Sequence, residues 1–118
     1  MISKWKLELI VKAYAAGSAQ TDAVVKSVPS DKRFVITMLD ISVGSAVTAD
    51  VDFALEWDAE TDVAIAKGQI TAGQRMKIGD GTSEILRGGD GQDLIFSCDD
   101  PTGGNAYVHV LGYLEKYR

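Results

Sequence analysis

One cysteine, one histidine and two prolines in 118 residues leave few of the groups from which staples, metal sites or acid–base pairs are built. Cys98 has no partner for an intrachain disulfide and no companions for a cysteine-based zinc site. It follows Leu94 and Phe96 at strand spacing, which reads as a buried apolar thiol rather than a nucleophile. His109 alone excludes a two-histidine metal site and leaves a single candidate general base. No Gly-x-Ser-x-Gly motif accompanies it, and no glycine-rich run leads into Lys-Ser or Lys-Thr to cradle a phosphate. No apolar run approaches the ~20 residues of a membrane-spanning helix. Met1 to Trp5 lacks the apolar segment of a secretory signal, so synthesis in a cytoplasm is expected.

Clustered positive charge is also missing. The net charge is −5, and the densest basic group, Lys32-Arg33, is diluted by Asp31. Nucleic-acid binding needs lysines and arginines gathered against phosphates, so a polyanion is excluded as the expected partner. The acidic groups are dispersed, as in Asp58-Ala59-Glu60-Thr61-Asp62. With 17 of them, some pair would fall close together by chance, and they are read as solubilising charge rather than a glycosidase pair.

What the chain does have is a two-residue rhythm. Val47, Ala49, Val51, Phe53, Leu55 and Trp57 share one parity, and Thr48, Asp50, Asp52, Ala54, Glu56 and Asp58 the other. A strand places such a set on one face, whereas a helix would scatter it. Trp5, Leu7, Leu9, Val11 and Ala13 alternate with Lys4, Lys6, Glu8 and Lys12, which predicts a half-buried strand with the lysine parity wet. Residues 33–43 are apolar on both parities, as expected of a central strand covered on both sides. Further strands are predicted over 21–28, 63–70, 75–78, 92–98 and 106–114, with a short segment at 84–87. Gly44-Ser45-Ala46 reads as a hairpin between the strands on either side of it. The Ala-rich stretch 11–25 is the one place for a helical turn, but Gly17-Ser18 favours a loop. Eight or nine short strands with turn chemistry between them predict one all-β domain over 1–118. Its expected architecture is an antiparallel β-sandwich, jelly-roll-like.

Gly79-Asp80-Gly81 and Gly88-Gly89-Asp90-Gly91 resemble fragments of calcium loops, with Asp99-Asp100 nearby in sequence. Calcium takes six or more oxygens, which neither fragment supplies, so both are read as tight turns. No cofactor and no metal is expected. The last strand says more. From Ala106 to Leu114 it carries no formal charge, with Ala106, Val108, Val110, Gly112 and Leu114 on one face and Tyr107, His109, Leu111 and Tyr113 on the other. Small aliphatics suit a core, which turns the second set outward. Its composition is that of an interface centre, rich in tyrosine and poor in charge. The competing reading is that a loop or the N-terminal arm covers this face within the monomer.

The segment Val28-Pro29-Ser30-Asp31-Lys32-Arg33-Phe34-Val35-Ile36-Thr37 resembles the opening of small phage head and tail proteins. Ile70-Thr71-Ala72-Gly73-Gln74, Ile85 to Asp90, and the closing strand from Ala106 to Glu115 resemble the rest of that pattern, over residues 28–115. The resemblance implies a non-enzymatic bacteriophage virion protein, a capsid decoration (cement) protein or a head–tail accessory domain. Such a protein binds major coat subunits and forms homo-oligomers, usually trimers. No functional residue transfers with it. Tyr107, His109, Leu111 and Tyr113 are the candidate interface, and Met1–Lys6 the candidate arm onto a partner. The alternative is a carbohydrate- or receptor-binding module of a tail or head fibre, with Trp5, Trp57 or Tyr107 as aromatic platforms.

Overall fold

The computed structural model describes residues 7–59 and 62–116 and contains nine strands and, among these residues, no helix. The strands are β1 (Glu8–Ala15), β2 (Gln20–Lys26), β3 (Lys32–Val43), β4 (Val51–Trp57), β5 (Val63–Ile70), β6 (Arg75–Ile78), β7 (Leu86–Arg87), β8 (Leu94–Cys98) and β9 (Asn105–Lys116). The expected arm, Met1–Lys6, with Trp5 in it, lies outside the described residues.

Two antiparallel sheets form a sandwich. One runs β1-β9-β3-β6, with β7 also on β3, and the other runs β2-β8-β4-β5. β1 pairs with β9, β2 with β8, β3 with β6 and β7, and β4 with β5. The chain is thus one long hairpin, with β4–β5 near its tip, rolled so that its arms alternate between sheets. That is the topology of a jelly roll. Consecutive strands mostly cross from sheet to sheet, so each inner face is assembled from segments far apart in sequence.

The core follows from alternation. On β4, Val51, Phe53, Leu55 and Trp57 are all buried, while Asp52 is exposed and Ala54 and Glu56 are half-buried. They meet Phe34, Ile36, Leu39 and Ile41 of β3 and Val108 and Val110 of β9 in one apolar cluster. β3 is covered on both sides, as its composition predicts: Val35, Thr37 and Asp40 on its outer face are also buried. Thr37 satisfies its hydroxyl by donating to the Leu111 carbonyl at 3.1 Å. Gly112 is required where β9 crosses β3. A Cβ there would stand 2.3 Å from the Val35 carbonyl oxygen and 2.7 Å from the Phe34 ring.

Three expectations are corrected. Gly44-Ser45-Ala46 is not a hairpin, because β3 and β4 lie in different sheets and the segment carries the chain across the sandwich. The strand expected from Val47 begins at Val51; Val47 is buried from a loop, and Ala49 is exposed. The first strand is turned over: Leu7, Leu9 and Val11 are 46%, 61% and 55% exposed, while Ile10, on the lysine parity, is 9% exposed. The register explains it. Leu9 is opposite Leu111, Val11 opposite His109 and Ala13 opposite Tyr107, so these residues share the outer face of β9. Glu8 lies at the sandwich rim, where its carboxylate reaches Lys26 of β2 at 2.8 Å.

Three outcomes are expected in chemical denaturation of dilute protein. Gly112→Ala should cost about 1–3 kcal/mol, because the obstacle is backbone and an aromatic ring; an unchanged midpoint would contradict the close approach. Ile10→Ala should cost ~2 kcal/mol as a core truncation. Leu9→Ser should stay within ~0.5 kcal/mol, as surface positions do, and the reverse ranking would restore the original facing of β1.

Candidate functional site

The outer face of the five-stranded sheet is set by β9. Since Ala106, Val108 and Val110 belong to the core, the intervening Tyr107, His109 and Leu111 point away from it, and Tyr113 continues the row. The neighbours on β3 are Ser42, Asp40, Met38 and Val35, in the same order. Tyr107, His109 and Leu111 are half-buried, and Tyr113 is buried at 6% exposure. The chain covers this face at one end and leaves it open at the other.

At the Tyr113 end, the chain covers its own surface. The turn between β6 and β7 passes so close that a Cβ on Gly81 would stand 2.8 Å from Leu111 Cδ2. Beside it, Arg87 Nε donates to Glu84 at 2.7 Å, and Arg87 Nη1 lies 3.4 Å from Glu115, which Arg33 Nε also meets at 2.6 Å. Burial pushes the Tyr113 phenol up from its ordinary value, and the Glu115 and Glu84 charges add to this, partly offset by Arg87. Tyr113 is therefore held in place within the monomer.

The other end is open. Tyr107 and His109 meet edge to face, with ring centroids 6.5 Å apart, and Asn105 Nδ2 donates to the Tyr107 hydroxyl at 3.1 Å. Asp40, opposite His109, is 5% exposed and is ion-paired with Arg75, whose Nε lies 3.4 Å from Oδ1. From here the apolar surface runs sideways onto Val11 and Leu9 of β1. Those two were assigned to the core from sequence. The signal that would have placed them correctly was Ile10 and Tyr14, two large apolar residues on the supposedly wet parity.

Cys98 and His109 are not brought together: Cys98 is buried on β8 in the four-stranded sheet, and His109 faces outward from the other. Burial raises the thiol pKa, and Asp99 and Asp100 raise it further against a hydrogen bond from the Gln20 backbone. That holds the sulfur protonated and poorly nucleophilic. Tyr14 stacks on Phe96 at 5.5 Å; burial, then Cys98, raises its phenol, whose oxygen has no hydrogen-bond partner among the described residues.

The glycine-acid motifs are turns. Gly79 and Gly81 have φ of 81° and 88°, and Asp80 Oδ1 accepts from the Thr82 amide and hydroxyl at 2.9 and 2.6 Å. Those bonds hold the Asp80 carboxyl below its usual range. Asp99 and Asp100 accept from the amides of Asp52 and Gly17. Elsewhere, Asp22, Glu56 and Asp62 bring carboxylate oxygens within 4.8 Å of one another, three ligands where calcium takes six or more.

Shallow grooves also mark the surface of the described residues. One, of about 390 Å³, is lined by Phe53, Lys67, Gln69, Gln74, Arg75 and Met76 among others, without a carboxylate, histidine or cysteine. Another, of about 310 Å³, includes Cys98 with Asp52 and Asp99 but no histidine. A thiol-reactive dye should label Cys98 only after denaturant is added; rapid labelling of the native protein would mark the sulfur as an accessible thiolate.

No family model and no curated protein matches the sequence. Among solved structures the chain is similar to a Bacillus endospore appendage protein, described as forming disulfide-linked pili. The TM-score is 0.49 and the identity 10%, over 94% of this chain and 89% of that one. It is also similar to the CBM22-1–GH10 modules of Clostridium thermocellum xylanase 10B, with a TM-score of 0.41 and 12% identity over 98% of this chain and 25% of that one. A third is the CBM22-1 xylan-binding domain of Paenibacillus barcinonensis Xyn10C, with a TM-score of 0.39 and 14% identity over 97% and 86%. The chain is an all-β sandwich of two antiparallel sheets on its own strand pairing.

Proposed function

We propose that the chain is a non-enzymatic structural protein of a bacteriophage particle, a capsid decoration protein that binds coat subunits through the outer face of its five-stranded sheet. One observation carries this reading. In a domain of net charge −5, Tyr107, His109, Val11 and Leu9 form a stretch of surface that is apolar or aromatic and carries no Asp, Glu, Lys or Arg side chain. Such a patch, running out to the β1 edge of the sheet, fits a protein partner. The resemblance of residues 28–115 to small phage head and tail proteins supplies the kind of partner. Repetition on a lattice would make a modest contact effective, since neighbouring copies add avidity.

The carbohydrate-binding reading loses one of its platforms. Trp57 is 5% exposed, packed in the core, and has no ring face to offer a sugar. Tyr107 is the aromatic it retains among the described residues.

The test is cosedimentation with shells assembled from the coat protein encoded in the same genome. Binding is expected, with Tyr107→Ala and His109→Ala each weakening it by about tenfold, the scale of an interface hot spot. Lys67→Ala, on the other sheet, should leave it unchanged. Absence of binding to such shells, or glycan-array hits abolished by Tyr107→Ala, would replace the decoration role.

A further inference from the structure

We propose that the free edge of β1 pairs antiparallel with β1 of a second copy, about a two-fold axis at Ile10. This goes beyond coat binding and does not depend on it.

The strand has an open hydrogen-bonding edge. β1 pairs with β9 on one side, and none of the described residues pairs with it on the other. Ala16 N donates to the Gly104 carbonyl at 3.0 Å, continuing the Ala15–Asn105 register. In an antiparallel ladder, residues alternate in the direction of both backbone groups. Even-numbered residues of β1 therefore face β9, and Leu9, Val11 and Ala13 direct their N–H and C=O groups outward.

The other edges are blunted. β2 has two register shifts and a positive φ of 51° at Asp22. The β4–β5 ladder carries a shift between Leu55 and Glu56, and β6 is four residues long with Arg75 and Lys77 on it. Bulges, charges and shortness are the usual protections of sheet edges. β1 has an unbroken register from Glu8 to Ala15 and two large exposed apolar side chains. A long, regular, apolar edge is a template for another strand.

The sequence of that edge is self-complementary in one register. Pairing about Ile10 sets Leu9 opposite Val11 of the other copy, as a hydrogen-bonded pair made from the outward backbone groups. It also sets Glu8 opposite Lys12, twice by symmetry. A two-fold at Lys12 or at Glu8 would oppose like charges, which destabilises a ladder. A two-fold at Val11 leaves Lys12 opposite Ile10. Opposite charge thus selects Ile10 and a second copy of this chain, rather than an unrelated strand. Leu7, Leu9 and Val11 offer on the order of 300 Å² of apolar surface, a large patch for a monomer. The backbone edge of β1 adds to that area, toward the ~500 Å² per copy of the smallest specific interfaces. The two outer faces would then form one continuous surface.

Sedimentation equilibrium of the full chain should show a dimer. Val11→Lys should raise its dissociation constant by about tenfold or more, with the melting temperature of dilute protein unchanged. Lys12→Glu and Glu8→Lys chains should each self-associate weakly but dimerise when mixed, since both ends then oppose unlike charges. Ile10→Cys in a Cys98→Ser background should cross-link on mild oxidation, the Cα atoms at the axis being ~4.5–5.5 Å apart. A monomer at ~300 µM, a trimer, or a dimer indifferent to Val11→Lys and not rescued by mixing would overturn the proposal. Coat-shell cosedimentation is read with Tyr107→Ala and His109→Ala, and dimerisation with Val11→Lys and the charge-swapped pair, so either idea can fail alone.

Discussion

The pairing of β3 with β9 organises the molecule. It runs from Lys32 opposite Lys116 to Val43 opposite Ala106, joining the longest strands across most of the chain length. Backbone groups in the middle of a sheet must be paired there or left without partners at a cost of about 1–3 kcal/mol each. Once this ladder closes, β1 is placed beside β9 and β6 beside β3, while β8 and β4 form the facing layer. Gly112 is the point at which the ladder tolerates least change, because the Val35 carbonyl and the Phe34 ring occupy the space of a side chain.

The same ladder determines what the surface is made of. Its inner face takes Phe34, Ile36, Leu39, Val108 and Val110, leaving the outer face to Tyr107, His109 and Leu111. Part of that outer face is sealed by the turn after β6 and by the Glu84–Arg87–Glu115 charges. The rest stays open and extends onto β1. An edge strand with apolar residues on its outer side departs from the protections seen at β2, β5 and β6. Leu7, Leu9 and Val11 lie together there, whereas Val24, Val63 and Ile78 are exposed singly on β2, β5 and β6. Both features fit a surface that contacts other molecules.

Most elements were legible because alternation is local. β3, β5, β6 and β9 fall close to their expected bounds, and the parity of β4 is as predicted from Val51 onward. The outward set on β9 was also legible, since small aliphatics and aromatics separate cleanly by parity there. β1 was misread because Leu9 and Val11 satisfy an alternation pattern equally well facing in or out. What decides is the partner strand, and Leu9 lies beside Leu111, 102 positions away in sequence. The supposed hairpin at Gly44 failed for a related reason: its turn residues serve a crossing between sheets as readily as a turn within one.

From its residues alone, the chain's class follows: strands throughout, no disulfide framework, no paired histidines, and a closing segment from Ala106 to Leu114 without Asp, Glu, Lys or Arg. Those properties depend on composition and on near neighbours, so no partner element is needed to see them. Sheet order, the facing of β1, the sealing of Tyr113 and the separation of Cys98 from His109 belong to the tertiary structure. Each depends on which distant backbone edges satisfy one another's hydrogen bonds, and a period of two cannot encode that choice.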